Sequence, residues 1–231
     1  MRAHFIGDLL VQDEYSLTGD SLHHLVNVIR IELDEELLLL NGNGLMIKTK
    51  VSASSKRNLT LKFLSSSQSE KMNQLDLVMG MPKREALELS LKQSVELGIG
   101  KVFLIKSAYS QIKFPETERT QSLLISALEQ SNAPFLPEVI KKEWNTISWD
   151  HYKSLVLMDS QTDKSELLPK DVRLAGPVLL IVGPEGGFSH EERSFLHSLP
   201  HVKILKLPTP IMRTPTALAA GAGILWQTLL D

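Results

Sequence analysis

The sequence predicts an α/β protein: a doubly wound, mostly parallel sheet preceded by a smaller β-rich domain. Three observations carry this reading. The apolar pattern has period 2 over roughly the first 65 residues and then changes to strands alternating with helices. Pro177 to Val182 has almost no polar atoms, as in a strand covered on both faces. Helix starts follow strands: Ser189-His190-Glu191-Glu192 is a capping box, and Thr214-Pro215 reads as an N-cap with proline at the first helical position. The expected division is 1–70 and 71–231.

The elements follow in order. His23 to Ile31 reads as a short helix. Leu37 to Leu40 is an apolar run closed by Asn41-Gly42-Asn43-Gly44, a strong turn signal. Ile47, Thr49 and Val51 alternate with Lys48 and Lys50, and Leu59, Leu61 and Phe63 with Thr60 and Lys62. Two strands thus place lysines on one face and apolar groups on the other. The polar stretch from Ser65 to Lys71 reads as the linker. Beyond it, Leu75 to Met81 is a strand, and a helix runs from Pro82 to Leu97 with Gly98 as its stop. Glu88 and Lys92 form a favourable surface pair on that helix. Val102 to Ile105 is a strand, and Glu116 to Gln130 is a helix ended by Pro134 and Pro137. Leu155 to Met158 and Val202 to Leu205 are further strands. Helices open at His190 and beyond Thr214.

Composition bounds the function. The chain has 231 residues, 42% hydrophobic and 23% charged, with no cysteine. Disulfides, thiolate metal sites and cysteine nucleophiles are excluded. No apolar run approaches the ~20 residues needed to cross a bilayer, and the amino terminus lacks a signal-peptide pattern. A cytoplasmic protein without a membrane partner is expected. Formal net charge is −2, which argues weakly against a general nucleic-acid binder. Between Glu36 and Glu70, however, Lys48, Lys50, Lys56, Arg57 and Lys62 stand without an acidic residue. That is a local positive field on a nearly neutral chain, or a solvated sheet face. His23 and His24 are adjacent on a helix and face different ways, so no metal site is expected.

Ligands of such sheets bind at the carboxyl ends of the strands. Three loops qualify: Asp159 to Asp163, Gly183 to Phe188, and Lys206 to Arg213. Gly183-Pro184-Glu185-Gly186-Gly187-Phe188-Ser189 is a glycine-rich turn between a buried strand and a capped helix. Its glycines let a ligand approach the backbone, and they equally suit a tight turn with no ligand. The spacing matches neither the dinucleotide nor the P-loop fingerprint. Leu205 to Ala217 is a long loop carrying Met212 and Arg213, and the helix after it is rich in alanine and glycine.

Gly183 to Ser189, followed by Ile211-Met212-Arg213-Thr214, resembles the bacterial 16S ribosomal RNA uracil-N3 methyltransferases, knotted enzymes of the SPOUT class. The resemblance runs through nearly the whole chain. His24-Leu25-Val26-Asn27-Val28-Ile29-Arg30, Lys92 to Gly98, Glu129-Gln130-Ser131 and Pro137-Glu138-Val139 match in order. It implies a SPOUT α/β-knot domain with a deep trefoil knot, preceded by a small PUA-like barrel that grips RNA, in a homodimer. It implies S-adenosyl-L-methionine bound by the three loops, with Met158, Gly183, Gly187, Leu207 and Met212 lining the site. Pro184, Glu185, Gly186, Leu205 and Pro208 complete the candidate set. Arg213 is the candidate for stabilising charge on the attacking base, or else a dimer-interface ion pair. The candidate RNA contacts are Arg2, His24, Arg30, Lys48, Lys50 and Lys83, and the implied partner is the small ribosomal subunit.

The chain departs from the family pattern in three places. Arg213-Thr214-Pro215-Thr216 stands where Arg-Thr-Glu-Thr is common. Ala108-Tyr109 replaces a glutamate-arginine pair, and Asn132-Ala133-Pro134-Phe135 replaces arginines. Action on a ribose 2′-hydroxyl or transfer RNA, and an inactive RNA-binding paralogue, therefore stay open beside the leading reading.

Overall fold

The computed structural model describes residues 1–71, 75–110, 113–162, 174 and 176–229. The chain forms two compact units, Met1–Lys71 with Ile125–Leu136, and Met72–Leu124 with Pro137–Asp231.

The first unit is a five-stranded sheet in the order β1-β3-β4-β5-β2. Its strands are β1 (Arg2–Phe5), β2 (Glu14–Leu17), β3 (Glu36–Leu40), β4 (Leu45–Ser54) and β5 (Leu59–Gln68). β1 and β3 are parallel and the other pairs antiparallel. Alternation works as read: Ile47, Val51, Leu59 and Leu61 are fully buried with Leu37 and Leu39, while Lys48, Lys50 and Lys62 face outward. Thr49 is also buried, and its hydroxyl donates to the Leu37 carbonyl at 2.8 Å. The turn before β4 is closed by the Asn41 side chain, which accepts from the Asn43 and Leu45 amides at 2.8 and 3.1 Å.

Two expectations for this unit are corrected. Ser65 to Gln68 is not linker but the end of β5, paired with Leu45 to Lys48. The outer half of β5, Leu64 to Gln68, is exposed, and a polar exposed strand has no hydrophobic period to read. The helix expected over 23–31 is α1 (Gly19–His23), continued by a wider π-helical turn over His24–Val28. Arg30 then turns the chain with φ of 57°. The unit also includes the end of a later helix: the Glu129 carboxylate accepts from the Phe5 amide at 2.9 Å and lies 3.2 Å from His4 Nδ1. Burial pushes the Glu129 carboxyl up, but His4 and the Phe5 N–H outweigh it and hold it below the usual range.

The second unit is a six-stranded, wholly parallel sheet in the order β11-β9-β10-β6-β7-β8. Its strands are β6 (Leu75–Gly80), β7 (Lys101–Ile105), β8 (Glu138–Lys142), β9 (Ser154–Met158), β10 (Val178–Val182) and β11 (Val202–Leu205). The helices are α2 (Arg84–Glu96), α3 (Thr117–Ser131), α4 (His190–Ser198) and α5 (Thr214–Leu229). α3 straddles the division, giving residues from Ile125 onward to the first unit. Every residue of β10 is buried, as its composition demands. Small residues on α5 allow close approach: a Cβ at Gly221 would stand 3.1 Å from both Leu180 Cδ1 and Met158 Sδ. Trp226 Nε1 donates to the Leu97 carbonyl at 2.6 Å, satisfying an orphan acceptor at the end of α2.

β8 lies at the sheet edge and is half-exposed, so it carried no apolar signal. Two short 3₁₀ turns follow it, Trp144–Thr146 and Trp149–His151. Their tryptophans stack with centroids 6.3 Å apart, and Trp144 meets Phe188 edge-on at 5.6 Å. Phe195 of α4 meets both indoles edge-on.

Candidate cofactor pocket and RNA-facing surface

Because β9, β10 and β11 are parallel neighbours, the loops leaving their carboxyl ends rise on the same side of the sheet. They enclose one cavity, into which α5 also presents Thr214 and Ala217. The glycine-rich loop after β10 is shaped by particular contacts. Gly187 has φ of 69°, which glycine adopts without strain, and its amide donates to the Pro184 carbonyl at 2.8 Å. Gly80, ending β6, leaves room for Pro184: a Cβ there would lie 2.7 Å from the Pro184 ring. Thr214 begins α5, whose first helical bond runs from the Ala217 amide to the Arg213 carbonyl. Its hydroxyl does not serve as the expected N-cap; it donates to the Gly183 carbonyl at 2.8 Å and ties two loops together.

Glu185 sits at the tip of this loop. Both its oxygens accept from the Lys83 amide, at 3.2 and 3.1 Å. The carboxylate therefore stands at the amino end of α2, where the helix dipole stabilises negative charge. Asp159, which also lines the cavity, is buried and accepts from the Gln161 amide at 2.9 Å, from Arg193 at 3.0 Å and from His197 at 3.1 Å. Burial pushes its carboxyl up, yet the Gln161 N–H, the His197 contact and the Arg193 charge together hold it below the usual aspartate range. Lys206 donates to the Thr162 carbonyl at 2.6 Å. The capping box is present at α4, with Ser189 accepting from the Glu192 amide at 3.2 Å. Glu192 also accepts from the Ala108 amide at 2.9 Å and from Trp144 Nε1 at 3.3 Å.

Of the residues singled out for the cofactor, all but Pro208 line this cavity. Pro208 is exposed and is not among the lining residues, although Leu207 and Thr209 on either side of it are. Arg213 is exposed at the cavity's margin and is not among the lining residues. Asp159 belonged to a loop already noted, although nothing in its neighbours marked it as charged and buried. Arg193 and Gln161 were missed, since a helix arginine and a loop glutamine carry no distinguishing pattern. Asp163 lies outside the described residues.

The arrangement has known counterparts. A family model described as an RNA methyltransferase domain matches residues 69–226, and one described as an RNA methyltransferase PUA domain matches residues 17–64. This chain belongs to the RNA methyltransferase family. Among relatives, a "Ribosomal RNA small subunit methyltransferase E" from Rickettsia conorii is 28% identical over 203 residues, covering 85% of this chain and 82% of its own. Its namesake from Bacillus subtilis is 26% identical over 238 residues, covering 94% and 91%. A solved structure of the Neisseria gonorrhoeae enzyme of that name, bound to S-adenosyl methionine, superposes with a TM-score of 0.83 at 21% identity, covering 99% of this chain and 98% of that one. The methyltransferase thus has the SPOUT α/β-knot fold preceded by a PUA-type domain.

The RNA-facing candidates of the methyltransferase fare unequally. Lys48 pairs with Glu36 and Lys50 with Asp34, each at 2.8 Å, and Arg2 pairs with Glu35 at 3.1 Å. Lys48 and Lys50 of the acid-free stretch after Glu36 are therefore neutralised by acids just before it, brought across the β3–β4 hairpin. His24 is half-buried in the π-helical turn, Arg30 is exposed beside it, and Lys83 is exposed at the start of α2. Lys56 and Arg57, exposed at the tip of the β4–β5 hairpin, have no acidic partner among the described residues. With His23 and Asn27 they border a groove of the first unit. No described helix is long and apolar enough to cross a membrane.

Proposed function

We propose that this chain methylates N3 of a specific uridine in 16S ribosomal RNA of the small ribosomal subunit, using S-adenosyl-L-methionine, as a cytoplasmic homodimer. The observation that carries the reading is the convergence of three sequence-distant loops on one cavity at the carboxyl end of a parallel sheet. The substrate named for the relatives is extended here to this chain, and N3 of uridine follows from the sequence resemblance.

The residues fit the cofactor. Leu205, Leu207 and Met212 offer an apolar slot for an adenine ring, and the Gly183–Gly187 backbone offers hydrogen bonds at close approach. Asp159 and Glu185 both line the cavity; the Asp159 charge is met by Arg193, and Glu185, held by a backbone N–H, is the carboxylate that favours a cationic ligand. Bound there, S-adenosylmethionine supplies a methyl group activated by its sulfonium. The protein's work is to align the acceptor and manage one proton. Uracil N3 carries a proton at neutral pH, and Arg213 at the cavity margin stabilises the anion left by its removal. In the first unit, Lys56, Arg57, Arg30 and His24 hold RNA backbone.

The test is transfer of labelled methyl from S-adenosylmethionine to under-methylated small subunits, followed by mapping of the modified base. Label at N3 of one 16S uridine is expected. Label on a ribose or on transfer RNA would discard the target, and no transfer with cofactor binding intact would discard the activity. Arg213→Ala is expected to slow transfer on the order of 10²-fold; full activity with normal folding would remove Arg213 from the chemistry.

A further inference from the structure

Beside the candidate cofactor cavity lies a second pocket, lined by Met81, Pro82, Lys83, Tyr109, Glu185 and Gly186. The two pockets share Glu185 and Gly186, so an occupant of one stands next to an occupant of the other. Met81 and Pro82 are buried and give it an apolar floor. Tyr109 is its aromatic wall and is 53% exposed.

An aromatic ring left this open forgoes the burial that normally justifies its area. The backbone beneath it is nonetheless firmly held. The Ser110 amide donates to the Ser107 carbonyl at 3.0 Å, and the Ser107 amide to Ser110 Oγ at 3.1 Å. Ser110 Oγ donates to the Met81 carbonyl at 3.0 Å, and the Ala108 amide to Glu192 at 2.9 Å. Gly186 lets the ring's stem lie against the loop: a Cβ there would be 3.1 Å from Tyr109 Cβ. An exposed ring on a pinned turn binds a planar partner with little ordering cost. Glu185 completes the chemistry. Among the described residues its donor is a single backbone N–H, and a carboxylate has about four acceptor positions. Lys83 adds a cation at the rim.

We propose that this pocket receives the target base of the RNA, flipped out of its stack, with the ring of Tyr109 as stacking partner and the Glu185 carboxylate accepting first the hydrogen bond and then the proton of the base's imide N–H, so that the nitrogen is freed to take the methyl group as the donor's carbon–sulfur bond breaks. The occupant is an unstacked nucleobase carrying an imide-type N–H, delivered beside the methyl donor. Enzymes that modify a base take it out of the stack, and aromatic faces are the usual platform for a splayed base. This inference rests on the RNA-methylation reading of the adjoining cavity.

The experiment uses the full chain and small subunits reconstituted with 4-thiouridine-substituted 16S RNA. Irradiation is expected to cross-link the RNA to the peptide carrying Tyr109. Tyr109→Leu keeps apolar bulk without an aromatic face, and is expected to lose that cross-link and lower kcat/KM by roughly 5- to 150-fold. Tyr109→Phe stays near wild type. S-adenosylmethionine affinity, read by calorimetry, stays within about twofold in both variants, since Tyr109 does not line that cavity. Wild-type kcat/KM in Tyr109→Leu, or cross-links confined to other peptides, overturns the pocket and leaves the methylation reading intact. A wild-type protein that cross-links at Tyr109 yet transfers no methyl group keeps the pocket and overturns the methylation reading.

Discussion

Gly80→Ala tests how the cofactor loop is held. The new methyl group would lie 2.7 Å from Pro184 Cδ, 3.1 Å from Phe188 Cε1 and 3.3 Å from the Pro184 nitrogen. Carbon atoms prefer at least ~3.5 Å, so the loop must retreat by about 0.8 Å. It is poorly able to do so. A proline ring does not rotate away, and the loop is tied by Thr214 to Gly183, by Lys83 to Glu185 and by its own Gly187–Pro184 bond. Overpacking of this kind costs about 1–3 kcal/mol, which for a chain of this size lowers Tm by roughly 2–12 °C. Because Gly183 to Gly187 line the cavity, S-adenosylmethionine affinity falls with it, on the order of tenfold or more. Scanning calorimetry and titration calorimetry read the two effects. Gly223→Ala is the control: Gly223 is exposed on α5 and nothing lies within 4 Å of its Cβ position, so it gains roughly 0.5–1 kcal/mol of helix stability. Gly80→Ala with unchanged Tm and unchanged cofactor affinity would refute the argument that this glycine exists to admit Pro184.

Further expectations concern charge. Asp159→Asn strands Arg193 and His197 beside a neutral amide and costs about 1–3 kcal/mol by denaturant titration. Since the Asp159 carboxyl is held below its ordinary value, its stabilisation is full above about pH 4 and lost as pH falls through the lower folded value. The acid limb of a stability profile should therefore flatten in the variant; an unchanged limb contradicts the assignment. Glu129→Ala leaves the Phe5 amide without its acceptor and costs about 1–3 kcal/mol, read by thermal melting. Replacing both Lys56 and Arg57 with alanine should weaken RNA binding and lower the salt slope by between one and two. Replacing both Lys48 and Lys50, already paired with acids, should do less. Equal losses in filter-binding assays across a salt series would return the RNA to the sheet face.

What the sequence disclosed follows the physics of each segment. Buried parallel strands such as β10 and capped helices such as α4 carry their signals locally, and both stand where they were read. The glycine-rich loop was legible because close approach needs glycine. β8 and the outer half of β5 were not, because edge and solvent-facing strands have no apolar stripe. The neutralised lysines show the limit of reading charge along the chain: Lys48 and Lys50 meet their acids across a hairpin. Asp159 and Arg193 are 34 residues apart, and their pairing exists only once β9 and α4 are placed.

The aromatic group behind the glycine-rich loop makes the molecule its own spectroscopic reporter. The chain has three tryptophans, and Trp144, Trp149 and Trp226 all belong to the second unit. Intrinsic emission excited at the indole band therefore reports on the α/β domain alone, leaving the PUA-type domain silent. Trp144 touches Phe188, which itself lines the cofactor cavity, so occupancy of the cavity is one aromatic contact away from a fluorophore. The stacked Trp144–Trp149 pair should also give a near-ultraviolet dichroism signal that follows the loop, without any label being attached.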